Sequence, residues 1–113
     1  MNPSPTDPAD TGARVVLCTA PTDEVARGLA RALVDAGLAA CVNVLPGITS
    51  VYRWQGEVHE DAEVLLVIKA PSAGLAALEA RLLELHPYDT PEVMALAPER
   101  VEPRYLAWLL GEG

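Results

Sequence analysis

The stretch from Leu38 to Ala70, LAACVNVLPGITSVYRWQGEVHEDAEVLLVIKA, constrains the fold more than any other part of the chain. It holds two runs rich in β-branched residues joined at Gln55-Gly56, and a glycine there can take the positive φ of a tight hairpin turn. After Pro46-Gly47 the residues alternate: Ile48, Ser50, Tyr52 and Trp54 fall on one side of a strand, and Val51, Arg53 and Gln55 on the other. The return run, Val64-Leu65-Leu66-Val67-Ile68, is apolar at every position. A sheet with one wet face would alternate, so this run predicts cover on both faces.

The flanking segments supply one layer of that cover. Arg14 to Ala20, RVVLCTA, reads as a short buried strand. Thr22 is a suitable N-cap, Asp23 and Glu24 favour the positive end of a helix, and Val25, Leu29, Leu33 and Ala36 form its apolar stripe up to Gly37. Pro71-Ser72 opens a second helix with the stripe Leu75, Leu78, Leu82 and Leu85, and His86 ends it because Pro87 disfavours helical geometry in the residue before it. Val93 to Ala97 reads as another strand, and Pro103 starts a last short helix in which Tyr105 and Trp108 pair. The order predicts an α+β fold, a ferredoxin-like βαββαβ sandwich with a long β-hairpin and a short C-terminal helix. Right-handed crossovers send both main helices to one face. The other face has no cover from within the chain, which predicts self-association, with Tyr52 and Trp54 as interface anchors.

Residues 1–13, MNPSPTDPADTGA, have almost nothing to bury and read as a disordered tail, leaving 14–113 as a single domain. The net charge of −8 disfavours nucleic acid and anionic membranes as partners. No apolar run reaches the length of a membrane span, and the leading residues lack a signal-peptide pattern. Cys18 and Cys41 lie in apolar runs without CxxC spacing, which fits a reducing compartment, so the expected location is cytoplasmic.

In this topology the first and last strands are neighbours, so the loop His86-Pro87-Tyr88-Asp89-Thr90-Pro91-Glu92 lies beside Cys18 at the exit of the first strand. A thiolate with an imidazole suits copper or zinc, but a closed structural site normally has four ligands, so a site here would be exchangeable. The residues equally allow Cys18 as a small buried hydrophobe and His86 as a helix C-terminal cap. Cys41 reads as packing, and His59, among Glu57, Glu60 and Asp61, as a solvated stretch of the hairpin. A nucleophilic Cys18–His86 pair lacks an orienting third group, and phosphate loops, HExxH and serine elbows are absent, so neither enzyme activity nor an organic cofactor is expected.

Five motifs in order, VVLCTAP at 15–21, LAACVNVLPGITSVYRWQGE at 38–57, EVLLVIK at 63–69, HPYDTPE at 86–92 and YLAWL at 105–109, resemble the CutA family of divalent-cation tolerance proteins. The resemblance implies a cytoplasmic homotrimer with hairpin strands pairing between subunits, linked to tolerance of copper and other divalent cations. It places a metal site at Cys18 and His86, with Leu85 standing where the pattern has a second histidine, so weak binding of copper or another divalent ion is expected. The alternative is a trimeric regulatory or scaffold module, similar to PII-like signalling proteins, binding a small ligand or protein partner in clefts between subunits.

Overall fold

The computed structural model describes residues 9–111. Their elements are β1 (Ala13–Ala20), α1 (Asp23–Asp35), β2 (Cys41–Trp54), β3 (Glu57–Pro71), a single 3-10 turn (Ser72–Gly74), α2 (Leu75–Leu85), β4 (Met94–Leu96) and α3 (Pro103–Leu109). The four strands form one sheet in the order β2-β3-β1-β4, antiparallel at every pairing. This is the α+β, ferredoxin-like arrangement expected from the element order.

Local chemistry sets the boundaries. The Thr22 hydroxyl accepts from the Val25 N–H at 3.1 Å and caps α1, and Gly37 takes φ +73 while Leu38 N–H returns to the Leu33 carbonyl at 3.0 Å. The hairpin turns through Gln55 (φ 52) and Gly56 (φ 82), so both central residues are left-handed and the turn follows the twist of its strands. Glu102 caps α3 by accepting from the N–H groups of Arg104 and Tyr105, and Pro103 needs no donor there. The last strand spans three residues where five were expected. It pairs only with Val15–Leu17 of β1, and the nearby Pro91 and Pro98 lack the N–H groups that a longer ladder would use. Residues 1–8 of the expected tail lie outside the described residues. Further on, Asp10 accepts from Arg14 and from the Gly12 N–H, and the Gly12 carbonyl accepts from Ser72 N–H at 2.7 Å.

The sheet has a closed face and an open one. Val16, Cys18 and Ala20 of β1 and Val64, Leu66, Ile68 and Ala70 of β3 are buried with Leu29 and Leu33 of α1 and Leu78 and Leu82 of α2 in one core. The alternate residues, Val15, Leu17 and Thr19 with Leu65 and Val67, are half-buried on the opposite face. A bulge at Pro46-Gly47 re-phases β2: Leu45 lies opposite Leu65 and Ile48 opposite Glu63, so two residues of β2 face one of β3. Leu45 and Ile48, which a regular strand would send to opposite sides, thus share the open face, followed by Ser50, Tyr52 and Trp54. Gly47 accommodates the bulge with φ +82. The hairpin also runs past the helices, leaving Val51 and Val58 of the other face 64% and 63% exposed.

Two substitutions separate core packing from the bulge. Leu33→Ala, emptying a fully buried position, lowers stability by about 3 kcal/mol. Gly47→Ala meets no atom within 4 Å of the added carbon, so its cost is conformational alone, about 1 kcal/mol. Urea denaturation at a common protein concentration measures both, and equal losses would contradict this division.

Candidate functional site

The end of β1 and the loop leaving α2 meet at one carbonyl group, that of Thr19. His86 follows the last residue of α2, where its own N–H still donates to Leu82 and its backbone turns extended before Pro87. The residue is 7% exposed. Nδ1 accepts from the Tyr88 N–H at 3.1 Å, which places the ring proton on Nε2, and Nε2 donates to the Thr19 carbonyl at 2.8 Å. Cys18 is fully buried on the closed face, and its thiol also points at the Thr19 carbonyl, 3.7 Å away. The fold therefore brings the two expected metal ligands to one oxygen atom.

Their chemical state follows from these surroundings. Burial first, then the charges of Glu92 and Glu63, push the Cys18 thiol up to about 12. It is a thiol at neutral pH and not a ready thiolate. Both nitrogens of His86 are engaged, so an ion can bind the ring only by displacing one of two hydrogen bonds. Among the described residues no group of three or more His, Cys, Asp and Glu side chains is gathered to hold a metal ion. Cys18 and His86 offer two donors, each of which must give something up, which fits a labile ion and not a closed centre. Leu85, the neighbour of His86, is exposed. Cys41 is half-buried opposite Lys69 on β3, and both cysteines are free.

On the open face the same loop builds a cleft of about 730 Å³ against the outer half of the hairpin. Tyr88 donates its hydroxyl to Glu63 Oε2 at 2.8 Å, and Tyr52 donates to Asp61 Oδ2 at 2.5 Å while stacking on His59 with ring centroids 5.5 Å apart. Burial, then the bond to Glu63, pushes the Tyr88 phenol up to about 12, and the bond to Asp61 is the leading cause of a rise at Tyr52. Tyr52 and Trp54, the expected interface anchors, stand exposed on this face and line the cleft. Glu63 and Thr19 were not singled out by reading the sequence. Parity is the signal that finds them: counted in steps of two, Glu63 falls on the face of Leu65 and Val67, at the border where the charged stretch Glu57, His59, Asp61 meets the apolar pair.

The profile of the CutA1 divalent ion tolerance protein family matches residues 14–112. The "Divalent-cation tolerance protein CutA" of Thermus thermophilus is 53% identical over 95 residues, covering 84% of this chain and 92% of that protein. The solved "Divalent cation tolerance protein (Cut A1)" from the same organism superposes with a TM-score of 0.86 at 50% identity, covering 88% of this chain and 97% of that one. The "Protein CutA homolog" of Xenopus laevis is 50% identical over 80% of this chain, which spans only 60% of that protein's length. A solved CutA from Archaeoglobus fulgidus, described as periplasmic, is 32% identical, with a TM-score of 0.83, and covers 86% of this chain and 94% of that one.

Because His86 joins α2, β1 and the following loop through two bonds, it has a structural task that does not depend on metal. His86→Ala lowers stability by about 2–3 kcal/mol whether or not a chelator is present, since it orphans a buried carbonyl and an N–H. Denaturation midpoints with and without chelator check this, and a loss seen only with metal would contradict it.

Proposed function

Because this chain belongs to the CutA1 divalent ion tolerance protein family, we propose that it works in tolerance to divalent metal ions as a cytoplasmic homotrimer, binding copper weakly through Cys18 and His86. The observation that carries the assembly is the open face of the sheet. Leu45, Met94, Leu96, Tyr52 and Trp54 are exposed on it in a single chain, beside the half-buried Val15, Leu17, Leu65 and Val67. Each such side chain is already partly covered, so covering the rest gains about 1 kcal/mol, and a row of this size exceeds the scattered apolar groups normal on a monomer. Identical chains meeting in a closed ring can cover it. The reducing interior of the cell suits two free cysteines.

Weak copper binding follows from the donors. Releasing the proton of a thiol raised to about 12 costs several kcal/mol at neutral pH, and the imidazole must break a hydrogen bond. No helix among the described residues is long and apolar enough to cross a membrane.

Two measurements test this reading. Light scattering at micromolar concentration is expected to give three times the 12.0 kDa of one chain, and a folded species at the mass of one chain would overturn the assembly. Copper titration under reducing conditions is expected to lose affinity in Cys18→Ser and keep it in Cys41→Ser. Since the Cys18 thiol is protonated below about 12, binding releases a proton, so affinity rises with pH, by about tenfold per unit between pH 7 and 9. A pH-independent affinity, or equal affinities in the two variants, would remove Cys18 as the ligand.

A further inference from the structure

The open-face row of β3 runs Glu63, Leu65, Val67, Lys69, an apolar pair bracketed by two opposite charges. All four are half-buried in a single chain, and whatever covers Leu65 and Val67 also takes the charges beside them out of water. The two charges cannot satisfy each other within one chain. Six residues of an extended strand separate them by about 20 Å, more than both side chains can span together. Neither belongs to an ion pair among the described residues. Glu63 accepts a hydrogen bond from the Tyr88 hydroxyl through Oε2. Lys69 has Cys41 beside it on β2 and Val15 on β1, with Leu96 beyond, and none of these is a carboxylate.

The rest of the face shows the same division. Outward from Glu63 the row continues through Asp61, His59 and Glu57, and Asp89 and Glu92 of the loop join Glu63 around the cleft. Lys69 is the only lysine or arginine at an open-face position of the four strands, and the only lysine in the chain. The face therefore has an acidic end, an apolar centre and a basic end. Such a face complements a second copy set head to tail, and a closed ring uses each end once per chain. A charge buried alone is costly, and a counter-charge offsets much of that cost. We propose that Lys69 of each chain pairs with Glu63 of the next, so that every contact in the ring carries one ion pair. The inference rests on the trimeric reading and adds the residues that fix how neighbouring chains face each other. The apolar centre supplies the attraction, and the pair supplies register, since a misplaced copy sets carboxylate against carboxylate.

Subunit exchange between unlabelled and nitrogen-15-labelled protein, followed by native mass spectrometry at one temperature, tests the pairing. Lys69→Met keeps the length of the side chain, and Glu63→Gln keeps an acceptor for Tyr88. Each is expected to speed exchange at least about tenfold, because each leaves one charge buried alone. The double variant, with no charge left over, is expected to exchange no faster than the faster single one. Reversal gives the direction of the contact. Lys69→Glu and Glu63→Lys each speed exchange, and the two combined in one chain slow it again, a rescue that arises only between copies because the positions are too far apart within one. Circular dichroism reports whether each variant folds, and the neutral variants carry the test where a reversal does not. Exchange unchanged in both neutral variants, effects that multiply in the double variant, or a response to Lys69→Met without one to Glu63→Gln would each overturn the pairing while leaving a wild-type trimer intact. A wild-type protein that is a single chain by mass would instead overturn the trimeric reading itself.

Discussion

A central strand that is apolar on both sides, in a chain with helices for only one, is the constraint from which the other features follow. β3 carries Val64 to Ile68 without a polar break, and β1 carries Val15 to Cys18 beside it. α1 and α2 bury one set of these side chains completely. The other set stays half-covered, and the bulge at Pro46-Gly47 adds to it by bringing Leu45 and Ile48 to the same side. A bulge strengthens twist and costs a ladder position. Here it extends an apolar surface from the sheet into the hairpin, ending at Tyr52 and Trp54. That arrangement is a liability in an isolated chain and an asset in an assembled one.

The loop from His86 to Glu92 stands between the two faces. Its first residue is buried and bonded to the end of β1, while Tyr88, two residues later, bonds to Glu63 on the open face. His86 serves as the hinge pin of this crossing, since its Nδ1 fixes the Tyr88 N–H and its Nε2 fixes Thr19. A histidine used in this way has its donor and acceptor both committed. Metal binding at the same ring then competes with the architecture, and the competition lowers affinity without any change in ligand identity.

Much of the fold was legible because the sequence states it locally. Thr22 before an acidic first turn, Gly37 after the stripe, and His86 before Pro87 each carry their meaning within four residues, and each does in the structure what its chemistry suggests. The apolar run 64–68 was legible for the same reason, and the chain itself covers the face of Val64, Leu66 and Ile68 while Leu65 and Val67 stay half-buried. The phase of β2 across Pro46-Gly47 was not, because a bulge changes which parity faces the core and only cross-strand register reveals it. The site was half legible. Topology alone put the His86–Glu92 loop beside Cys18, but the engagement of both imidazole nitrogens depends on ring orientation, and the pairing of Tyr88 with Glu63 spans 25 residues with no local signal.

Glu63 and Glu92 act electrostatically on Cys18, and the ranking of causes limits their effect. Both carboxylates raise the Cys18 thiol, and both line the open cleft. Burial, however, is the larger cause of the rise at Cys18. The thiol therefore stays protonated at neutral pH. Charge in the cleft adjusts the thiol, while the core that surrounds it decides its state.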